Sequence, residues 1–400
     1  MSILQDRFSK SFLEDIIRKH YEDDIKIMDT DVTYVVPPGD NYWTELLRIV
    51  VSFSTKKNRD SIQSMAMIVK SLCKDEFLRK FCEEMGFFNT ELGIYSKILP
   101  MMDELKFFKK VAPKTYYLPT GLEKYIIVED LSALNYKMPD RQAGLNLEHC
   151  LLAVQKLAYF HASSLVLHEK DSKVIHQFKN GVFCKSDMFS NLISIAYQET
   201  LKLCKREKEL QKYYEKMTAL PKNKIYNLSK RDLKFNVLNH GDFWCNNLMF
   251  HYDANEVVDD VLFVDFQGSI FTSPSFDLHY FIATSPRLDI KKQHIYNILQ
   301  HYYKAFVKYV KILEVETSVP SWNDFEKDFS EKALIGTCLS VMYIILPFFK
   351  TNKMKTASVP NFIEHGEEGS FRHHCYTNSI YIDEVKFLLP FYDSLGVFNT

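Results

Sequence analysis

The hydrophobic pattern of this chain changes its period once, and the change divides the chain into two parts. Up to about residue 131, apolar positions cluster in short runs that are typical of strands. These predicted strands are 32–36, 45–54, 65–70 and 125–128. Helical stretches are predicted around residues 9–20 and from about Asp75 to Leu99, so this part is predicted to be a small sheet with one or two helices.

Beyond residue 131 helical patterns dominate. From Leu147 onward, apolar positions recur at spacings of three and four, which is the period of one helix face. His161 lies on that stripe and is predicted to be a hydrogen-bonded core residue. Residues 198–217 are rich in Lys and Glu, which is typical of a solvated helix surface. Short strand patterns return only at residues 234–266.

The uncharged segment 333–349 is predicted to be a helix buried in the protein. It lies at the short limit for a membrane span, which needs about 20 residues. It also contains Gly336, Thr337, Ser340 and Pro347. We therefore expect no membrane span.

Composition narrows the class of protein. Lys and Arg number 50 against 51 Asp and Glu, so no strong field favours nucleic acid or an anionic membrane. The eight cysteines are scattered without a CxxC pair, which favours reduced thiols. Asp6 and Arg7 interrupt the N-terminal region where a secretory signal needs an apolar stretch. The expected location is the cytoplasm.

The residues that indicate chemistry lie in His240-Gly-Asp-Phe-Trp-Cys-Asn-Asn247 and in the apolar run that ends at Asp265. Phosphoryl transfer needs a positioned hydroxyl, metal ions against the phosphates, and compensation of charge. Asp242 and Asn247, five positions apart, can share a tight loop, with the carboxylate meeting a hydroxyl and the amide oxygen meeting Mg²⁺. Asp265 offers a second oxygen ligand, and oxygen ligands suit magnesium.

These segments resemble the catalytic loop of phosphotransferases related to aminoglycoside and choline kinases, which are distant relatives of the protein kinases. Within that group the chain most resembles the ecdysteroid kinase-like family. The resemblance is carried by three motifs in order: His-Gly-Asp-Phe-Trp-x-Asn-Asn, Val-Asp-Phe-Gln and Ser275-Phe-Asp-Leu278. The resemblance extends over roughly residues 30–350.

The resemblance implies further roles. Lys70 resembles the strand lysine that holds the α- and β-phosphates of ATP, and Glu91 resembles the helix glutamate that pairs with it. Residues 128–131, with Glu129 and Leu131, resemble the hinge whose backbone receives adenine. Asp277 resembles a structural carboxylate that braces the catalytic loop.

The chain also departs from the protein-kinase pattern. The loop expected to cover the phosphates has one glycine, Gly39, where protein kinases have three. Backbone N–H groups around Gly39 and Asn41 are weaker candidates for phosphate contacts. Phe266-Gln267 follows Asp265 where protein kinases have Phe-Gly, and no Ala-Pro-Glu follows. A protein-kinase activation segment is therefore not expected.

Other polar residues have simpler interpretations. Trp244 either faces substrate or fixes the loop in the core, and Cys245 is expected to be buried. A C-terminal set fits no common zinc spacing and is interpreted as surface or loop residues: His365, His373, His374 and Cys375.

Together these observations predict an α+β, bilobal, protein-kinase-like fold. Residues 1–131 would form an N-lobe of antiparallel sheet plus helix, and residues 132–400 a larger, mainly helical C-lobe. The expected function is ATP- and Mg²⁺-dependent phosphorylation of a hydroxyl on an ecdysteroid or similar lipophilic compound. A choline- or ethanolamine-type kinase and a catalytically silent ATP- or ligand-binding module remain alternatives. No obligatory protein partner is evident.

Overall fold

The computed structural model describes residues 8–35, 44–179, 187–220, 234–342 and 358–399. The chain divides into two compact units. The first comprises residues 1–83 and 112–136, and the second comprises 84–111 and 137–400.

The first unit is an antiparallel sheet with helices. In its described part the strands run in the order β1-β2-β3-β5-β4. Its elements are α1 (Lys10–Tyr21), β1 (Ile25–Tyr34), β2 (Thr44–Thr55), β3 (Asn58–Leu72), α2 (Glu76–Met85, which reaches into the second unit), β4 (Thr115–Tyr117) and β5 (Tyr125–Glu129).

The core of the first unit follows the alternation of apolar residues. Leu47, Ile49 and Val51 are buried because successive strand residues point to opposite faces and these three share one face. They form one cluster with Ile16 and Ile17 of α1. Helix α1 begins where predicted because the Ser9 hydroxyl accepts a hydrogen bond from the Phe12 backbone N–H.

The second unit is mainly helical. Its elements up to the middle of the chain are α3 (Phe87–Gly93), a π turn (Ile94–Ile98), α4 (Leu99–Asp103), β6 (Tyr136–Lys137, at the boundary), α5 (Leu147–Lys170), α6 (Ser172–His176), α7 (Asp187–Arg206) and α8 (Gln211–Ala219). The rest are β7 (Val237–Asn239), β8 (Leu248–Tyr252), β9 (Val258–Phe263), β10 (Ile270–Thr272), α9 (Ser275–Thr284), α10 (Leu288–Ile312), α11 (Trp322–Glu331), α12 (Ala333–Met342), α13 (Val359–Glu364), α14 (Phe371–Thr377) and α15 (Ser379–Ser394). The predicted α+β class, a sheet with helices followed by a larger helical part, is confirmed.

Helix α5 forms the centre of the second unit. Ala153, Val154 and Leu157 on its stripe have no exposed surface, and α10 packs along it. Among the described residues, α5 is the helix that is long and apolar enough to cross a membrane, and most of it is buried inside the protein. Its burial is what the core helix of a folded protein shows.

Two helical predictions are modified by the structure. The stretch 75–99 is interrupted at Gly86, whose left-handed φ of 69° ends one helix and begins the next. The charged stretch 198–217 is less exposed than predicted, because α7 and α8 bury one face that includes Cys204, Tyr213 and Met217. Helix α12 is largely buried as expected, and residues 343–349 of that prediction lie outside the described residues.

His279 of helix α9 is a fully buried histidine. Its Nε2–H donates to the Phe329 carbonyl oxygen at 2.7 Å, and its ring stacks on the Phe329 ring with centroids 3.9 Å apart. Complete burial lowers the pKa of His279 from 6.5 to about 3. The imidazole is therefore neutral in the folded protein at pH values where the unfolded chain binds a proton.

This histidine predicts a loss of stability in acid. Because its folded pKa is depressed, the unfolded state binds the extra proton as pH falls below 6.5 toward about 3. The free energy of unfolding should fall there by about 1.4 kcal/mol per pH unit from this residue. His279→Gln, which keeps an N–H donor and cannot titrate, should flatten the profile in urea titrations. Exposed His374→Gln is the control, and equal slopes for both variants would contradict the assignment.

Candidate active site

The β8–β9 hairpin brings two of the predicted metal ligands to one end. Leu248 pairs with Phe263, and just beyond this pair the Val264 N–H donates to the Asn247 carbonyl oxygen at 3.0 Å. Asp265 is the next residue along the chain. Residues 247 and 265 are therefore neighbours because the hairpin is in register, although the sequence separates them by eighteen positions.

Asn247 is tied to Asp242. The Asn247 amide Nδ2 donates to the Asp242 carbonyl oxygen at 2.8 Å and to the Asp242 carboxylate Oδ2 at 3.0 Å. Both partners can only accept, so they fix which end of the amide faces them. The amide Oδ1 is then the atom that this side chain can offer to a cation.

These oxygens fit a hard divalent cation. The amide oxygen of Asn247 and the carboxylate of Asp265 are the ligand types that Mg²⁺ prefers, and the hairpin places their residues side by side. Cys245, the nearest thiol in the sequence, is buried, and its burial raises the thiol pKa to about 12. A neutral thiol does not compete as a ligand or nucleophile.

Asp265 occupies an unusual backbone position. Its φ of 66° and ψ of 64° are left-handed, a conformation that aspartate tolerates better than most residues. The short 3₁₀ turn after it, Phe266–Gly268, packs against α3, and the Tyr95 ring meets the Phe266 ring edge-on at 5.9 Å. Burial, followed by the negative charges of Glu91 and Asp265, raises the pKa of Tyr95. Within the second unit, the buried Tyr95 therefore lies close to both Glu91 of α3 and the turn that follows Asp265.

Gly241 has a backbone conformation and a contact that exclude a side chain. Its φ is 79°, and a Cβ added to it would lie 1.8 Å from the Gly268 carbonyl oxygen. The Ser269 hydroxyl donates to the His240 carbonyl oxygen at 3.2 Å beside it. The loop at residues 240–242 and the turn after Asp265 thus touch backbone to backbone.

The Asp277 carboxylate binds the backbone of this loop. Its Oδ2 accepts the His240 backbone N–H at 2.6 Å, and its Oδ1 accepts the Gly241 N–H at 2.8 Å. The Asp277 backbone N–H in turn donates to Asn239 Oδ1 at 3.2 Å. The predicted bracing position of Asp277 is confirmed.

His161 forms the next layer. Its Nε2 lies 3.1 Å from Asp277 Oδ2, and its Nδ1 lies 2.7 Å from the Tyr302 hydroxyl. Burial lowers the pKa of His161 against the opposing effect of Asp277. The neutral ring therefore donates from Nε2 and accepts at Nδ1. His161 is a hydrogen-bonded core residue, as the sequence predicted.

Two residues at the site had no role in the sequence analysis. His240 is fully buried, and its Nε2 donates to the Val264 carbonyl oxygen at 3.1 Å while its Nδ1 lies 3.4 Å from the Asp242 N–H. Tyr280 donates from its hydroxyl to Asp242 Oδ1 at 2.5 Å. Two features of the sequence could have indicated them. His240 is the first residue of the His-Gly-Asp motif, and Tyr280 follows Asp277 by three positions, which places both on one helix face.

Trp244 fixes the loop rather than lying open to substrate. The residue is only 9% exposed, and its backbone N–H donates to the Asp242 carbonyl oxygen at 3.1 Å. Cys245 is buried as expected, and its N–H donates to the Ser285 hydroxyl at 3.0 Å. Both residues therefore help to hold the Asp242–Asn247 turn.

The residues expected to hold nucleotide lie partly in the other unit. Lys70 lies on β3, paired with Leu46 of β2 and Ile126 of β5, whereas buried Glu91 lies on α3 of the second unit. Gly39 and Asn41 lie outside the described residues.

The predicted hinge, residues 128–131, begins in the last two residues of β5 and continues beyond it. Glu129 accepts the Lys114 N–H at 3.1 Å, and Leu131 begins a 3₁₀ turn and is buried. Between them Asp130 pairs with Arg48, whose Nε lies 2.7 Å from Asp130 Oδ2, and caps the Ser132 N–H at 3.0 Å. This backbone is therefore fixed by side-chain contacts within its own unit.

The C-terminal histidine set does not form a metal cluster. In the described part of the chain, no three side chains of His, Cys, Asp or Glu type are grouped as metal ligands would be. His373 instead accepts the Gly369 N–H at 3.3 Å through Nδ1, and Cys375 is buried.

The contact at Gly241 predicts the effect of a single methyl group. Gly241→Ala combines an unfavourable left-handed conformation, which costs about 1–2 kcal/mol, with a clash against backbone that cannot move away cheaply. Gly369→Ala is a matched control, because Gly369 has a φ of 82° and nothing within 4 Å of an added Cβ. Urea unfolding should show a larger loss for Gly241→Ala. Equal losses would contradict the close approach.

Comparisons with solved structures give low similarity over nearly the whole chain. The choline kinase LicA from Streptococcus pneumoniae has 12% identity and a TM-score of 0.40, covering 94% of this chain and 99% of its own. The amicoumacin kinase hAmiN, in complex with AMP-PNP, Ca²⁺ and Ami, has 11% identity and a TM-score of 0.40, covering 95% of this chain and 97% of its own. A choline/ethanolamine kinase family protein from Mesorhizobium loti has 9% identity and a TM-score of 0.40, covering 87% and 89%.

The family comparison is decisive. No protein with a curated description matches the chain. The profile of the ecdysteroid kinase-like family matches residues 38–315, which is more than half of the chain and includes the whole Asp242–Asp277 region. This match confirms the resemblance seen in the motifs and supports the broad assignment as a small-molecule kinase. The chain belongs to the ecdysteroid kinase-like family.

Proposed function

We propose that this protein is an ATP- and Mg²⁺-dependent kinase that phosphorylates a hydroxyl group of an ecdysteroid or a similar lipophilic compound. The observation that carries the proposal is the arrangement of Asp242, Asn247 and Asp265. One carboxylate is fixed by hydrogen bonds beside an amide oxygen, and a second carboxylate follows at the same end of the hairpin. Phosphoryl transfer requires this combination, because its catalysis consists mainly of positioning and charge stabilisation.

Asp242 would act on the acceptor. Its carboxylate would accept a hydrogen bond from the substrate hydroxyl and take its proton as the oxygen attacks the γ-phosphorus. Asn247 and Asp265 would hold Mg²⁺, which when bound neutralises charge on the β- and γ-phosphates. The left-handed backbone of Asp265 supports this role, since it turns the chain sharply just after β9 and so sets the orientation of the Asp265 side chain.

The proposed roles in nucleotide binding follow the family resemblance. Lys70 would contact the α- and β-phosphates, Glu91 would act as the helix glutamate, and the backbone of Glu129 and Leu131 would receive adenine. The burial of Glu91 at 4% exposure supports a structural partner for its charge, because isolated buried carboxylates are rare. Contacts from Gly39 and Asn41 to phosphate remain a prediction from the sequence.

The acceptor is inferred from the family, whose description names ecdysteroids. An aminoalcohol is the alternative acceptor, and a silent nucleotide-binding module is the alternative without turnover. We place the reaction in the cytoplasm, because ATP is available there and the cysteines that the structure describes are free thiols.

Asp242→Asn is the direct test of the proposed transfer. Purified protein is incubated with Mg-ATP and panels of ecdysteroids, aminoalcohols and plant glycosides, and products are detected by a mass gain of one phosphoryl group. The substitution should lower the rate by about 10²–10⁴ because the amide cannot accept the proton, while nucleotide binding persists. The control is Asp259→Asn on β9, which makes the same change of charge at an exposed position and should have wild-type activity.

Each outcome of this experiment separates the candidates. Phosphorylation of ecdysteroids supports the proposal, and phosphorylation of aminoalcohols alone would replace the acceptor class. Nucleotide binding without transfer to any acceptor would favour the silent module. Asp242→Asn with wild-type turnover would remove Asp242 from the chemistry.

The cation site predicts a shifted metal requirement. Chelation of Mg²⁺ should abolish transfer, and Asp265→Asn should raise the Mg²⁺ concentration for half-maximal activity by at least about tenfold, because a neutral amide replaces a charged ligand. The measurement is initial rate against free Mg²⁺ at saturating ATP. Asp253→Asn, at the closed end of the same hairpin, should leave the curve unchanged. Coincident curves for wild type and Asp265→Asn would exclude Asp265 as a ligand.

A further inference from the structure

Helix α9 contacts the catalytic loop through two side chains of one face. Asp277 and Tyr280 are three residues apart, so they lie on the same side of the helix. Asp277 accepts the backbone N–H groups of residues 240 and 241. Tyr280 reaches the carboxylate of Asp242, with 2.5 Å between its hydroxyl oxygen and Oδ1. The same helix therefore fixes both the backbone of the loop and its reactive side chain.

The contacts of Tyr280 and Asn247 together define the orientation of the Asp242 carboxylate. A carboxylate on a short side chain turns about its Cβ–Cγ bond, and one hydrogen bond does not prevent this. Here Asn247 holds Oδ2 at 3.0 Å and Tyr280 holds Oδ1 at 2.5 Å. Hydrogen bonds to an ionised oxygen are short and about twice as strong as neutral ones. With a donor on each oxygen, the plane of the carboxylate is set.

Tyr280 is well placed to keep this contact. Its side chain has no exposed surface, and its backbone carbonyl accepts the Thr284 hydroxyl at 2.7 Å within the helix. A buried phenol that lost its acceptor would pay the desolvation cost of an unsatisfied donor. The hydroxyl therefore stays on Asp242 rather than moving to another orientation.

We infer that Tyr280 is a positioning residue for the transfer step, which holds the Asp242 carboxylate so that one of its oxygens faces the acceptor hydroxyl. This inference rests on the proposed kinase function. In that step the acceptor O–H proton passes to Asp242, the acceptor oxygen forms a bond to the γ-phosphorus, and the bond to the β,γ-bridging oxygen breaks with its electron pair leaving on ADP. Tyr280 keeps its own proton and touches neither ATP nor acceptor.

Tyr280→Phe removes only the hydroxyl and tests the inference. The assay is phosphate release from Mg-ATP with water as the acceptor, which needs no identified organic substrate. Because a small misplacement of a catalytic group costs up to about a hundredfold in rate, kcat should fall by about ten- to a hundredfold. The KM for Mg-ATP should not change, since nucleotide contacts lie elsewhere. Loosening of the fold would instead alter both constants.

Tyr381→Phe is the matched control. Tyr381 is also fully buried, and its hydroxyl lies 2.9 Å from the Thr200 hydroxyl, remote in the sequence from the catalytic loop. Its removal should cost similar stability in urea unfolding and leave kcat unchanged. The double variant Asp242→Asn/Tyr280→Phe should be no slower than Asp242→Asn alone, because the hydroxyl then has no reactive carboxylate to orient.

The outcomes separate this inference from the proposed function. If wild type turns over, Asp242→Asn does not, and Tyr280→Phe matches Tyr381→Phe in kcat, the inference is overturned and the kinase assignment stands. Additive losses in the double variant, or unfolding of Tyr280→Phe under assay conditions that Tyr381→Phe survives, would likewise assign the hydroxyl to stability alone. If wild type and Asp242→Asn release phosphate equally, Asp242 is removed from the chemistry and the inference fails with it, whereas the kinase function itself fails only if wild type transfers phosphate to no acceptor.

Discussion

The site depends on one buried carboxylate and the two backbone N–H groups that point at it. Asp277 has no exposed surface, and a charge so placed is tolerated only when hydrogen bonds replace its hydration. The backbone N–H groups of residues 240 and 241 both donate to this carboxylate. Gly241 then takes a left-handed φ of 79° and lies directly against the Gly268 backbone, where no side chain would fit. The loop is therefore held by the Asp277 carboxylate and by this close backbone approach.

That loop shape determines where the proposed site residues lie. With Gly241 pressed against the Gly268 carbonyl, the chain leaves residue 241 beside the turn that follows Asp265. Asp242 then meets Asn247 across the turn, and Asn247 joins the hairpin that brings Asp265 back. His161 supports the whole arrangement as a neutral ring between Asp277 and Tyr302. Residues 242 and 247 are therefore joined by hydrogen bonds, and residue 265 follows Val264, whose N–H donates to the Asn247 carbonyl oxygen.

The sequence predicted the main elements of the fold, and individual residues in the structure show the physical reasons why. Alternation at Leu47, Ile49 and Val51 requires a strand with one buried face, and the cap at Ser9 defines a helix start. It did not reveal the interruption at Gly86, because a glycine within a helical pattern is compatible with both continuation and a left-handed break. The π turn at Ile94–Ile98 was equally hidden, since its apolar spacing resembles that of an ordinary helix.

At the site, the sequence singled out residues where chemistry restricts the residue type and missed residues whose position only the folded geometry decides. Asp242, Asn247 and Asp265 stood out because metal and proton chemistry need oxygen-bearing side chains in a particular order. Tyr280 did not, because a tyrosine in an apolar helix is usually a core residue, and only the coordinates show which way its hydroxyl points. His240 was passed over for the same reason, because its Nε2 reaches the Val264 carbonyl oxygen, which the sequence alone does not bring near it.

The hydrogen bonds around Asp242 also bear on whether this protein transfers phosphate or only binds nucleotide. A binding module needs cation ligands and phosphate contacts, which Asn247, Asp265 and Lys70 would supply without Asp242. Holding the Asp242 carboxylate by both oxygens keeps a phenol and an amide buried against it, and buried polar groups must stay paired or destabilise the fold. The Asn247 contact also orients a proposed cation ligand, whereas the Tyr280 contact acts on the Asp242 carboxylate alone. The Tyr280 contact has a use when that carboxylate must face a reacting hydroxyl, and this favours a working kinase over a silent one.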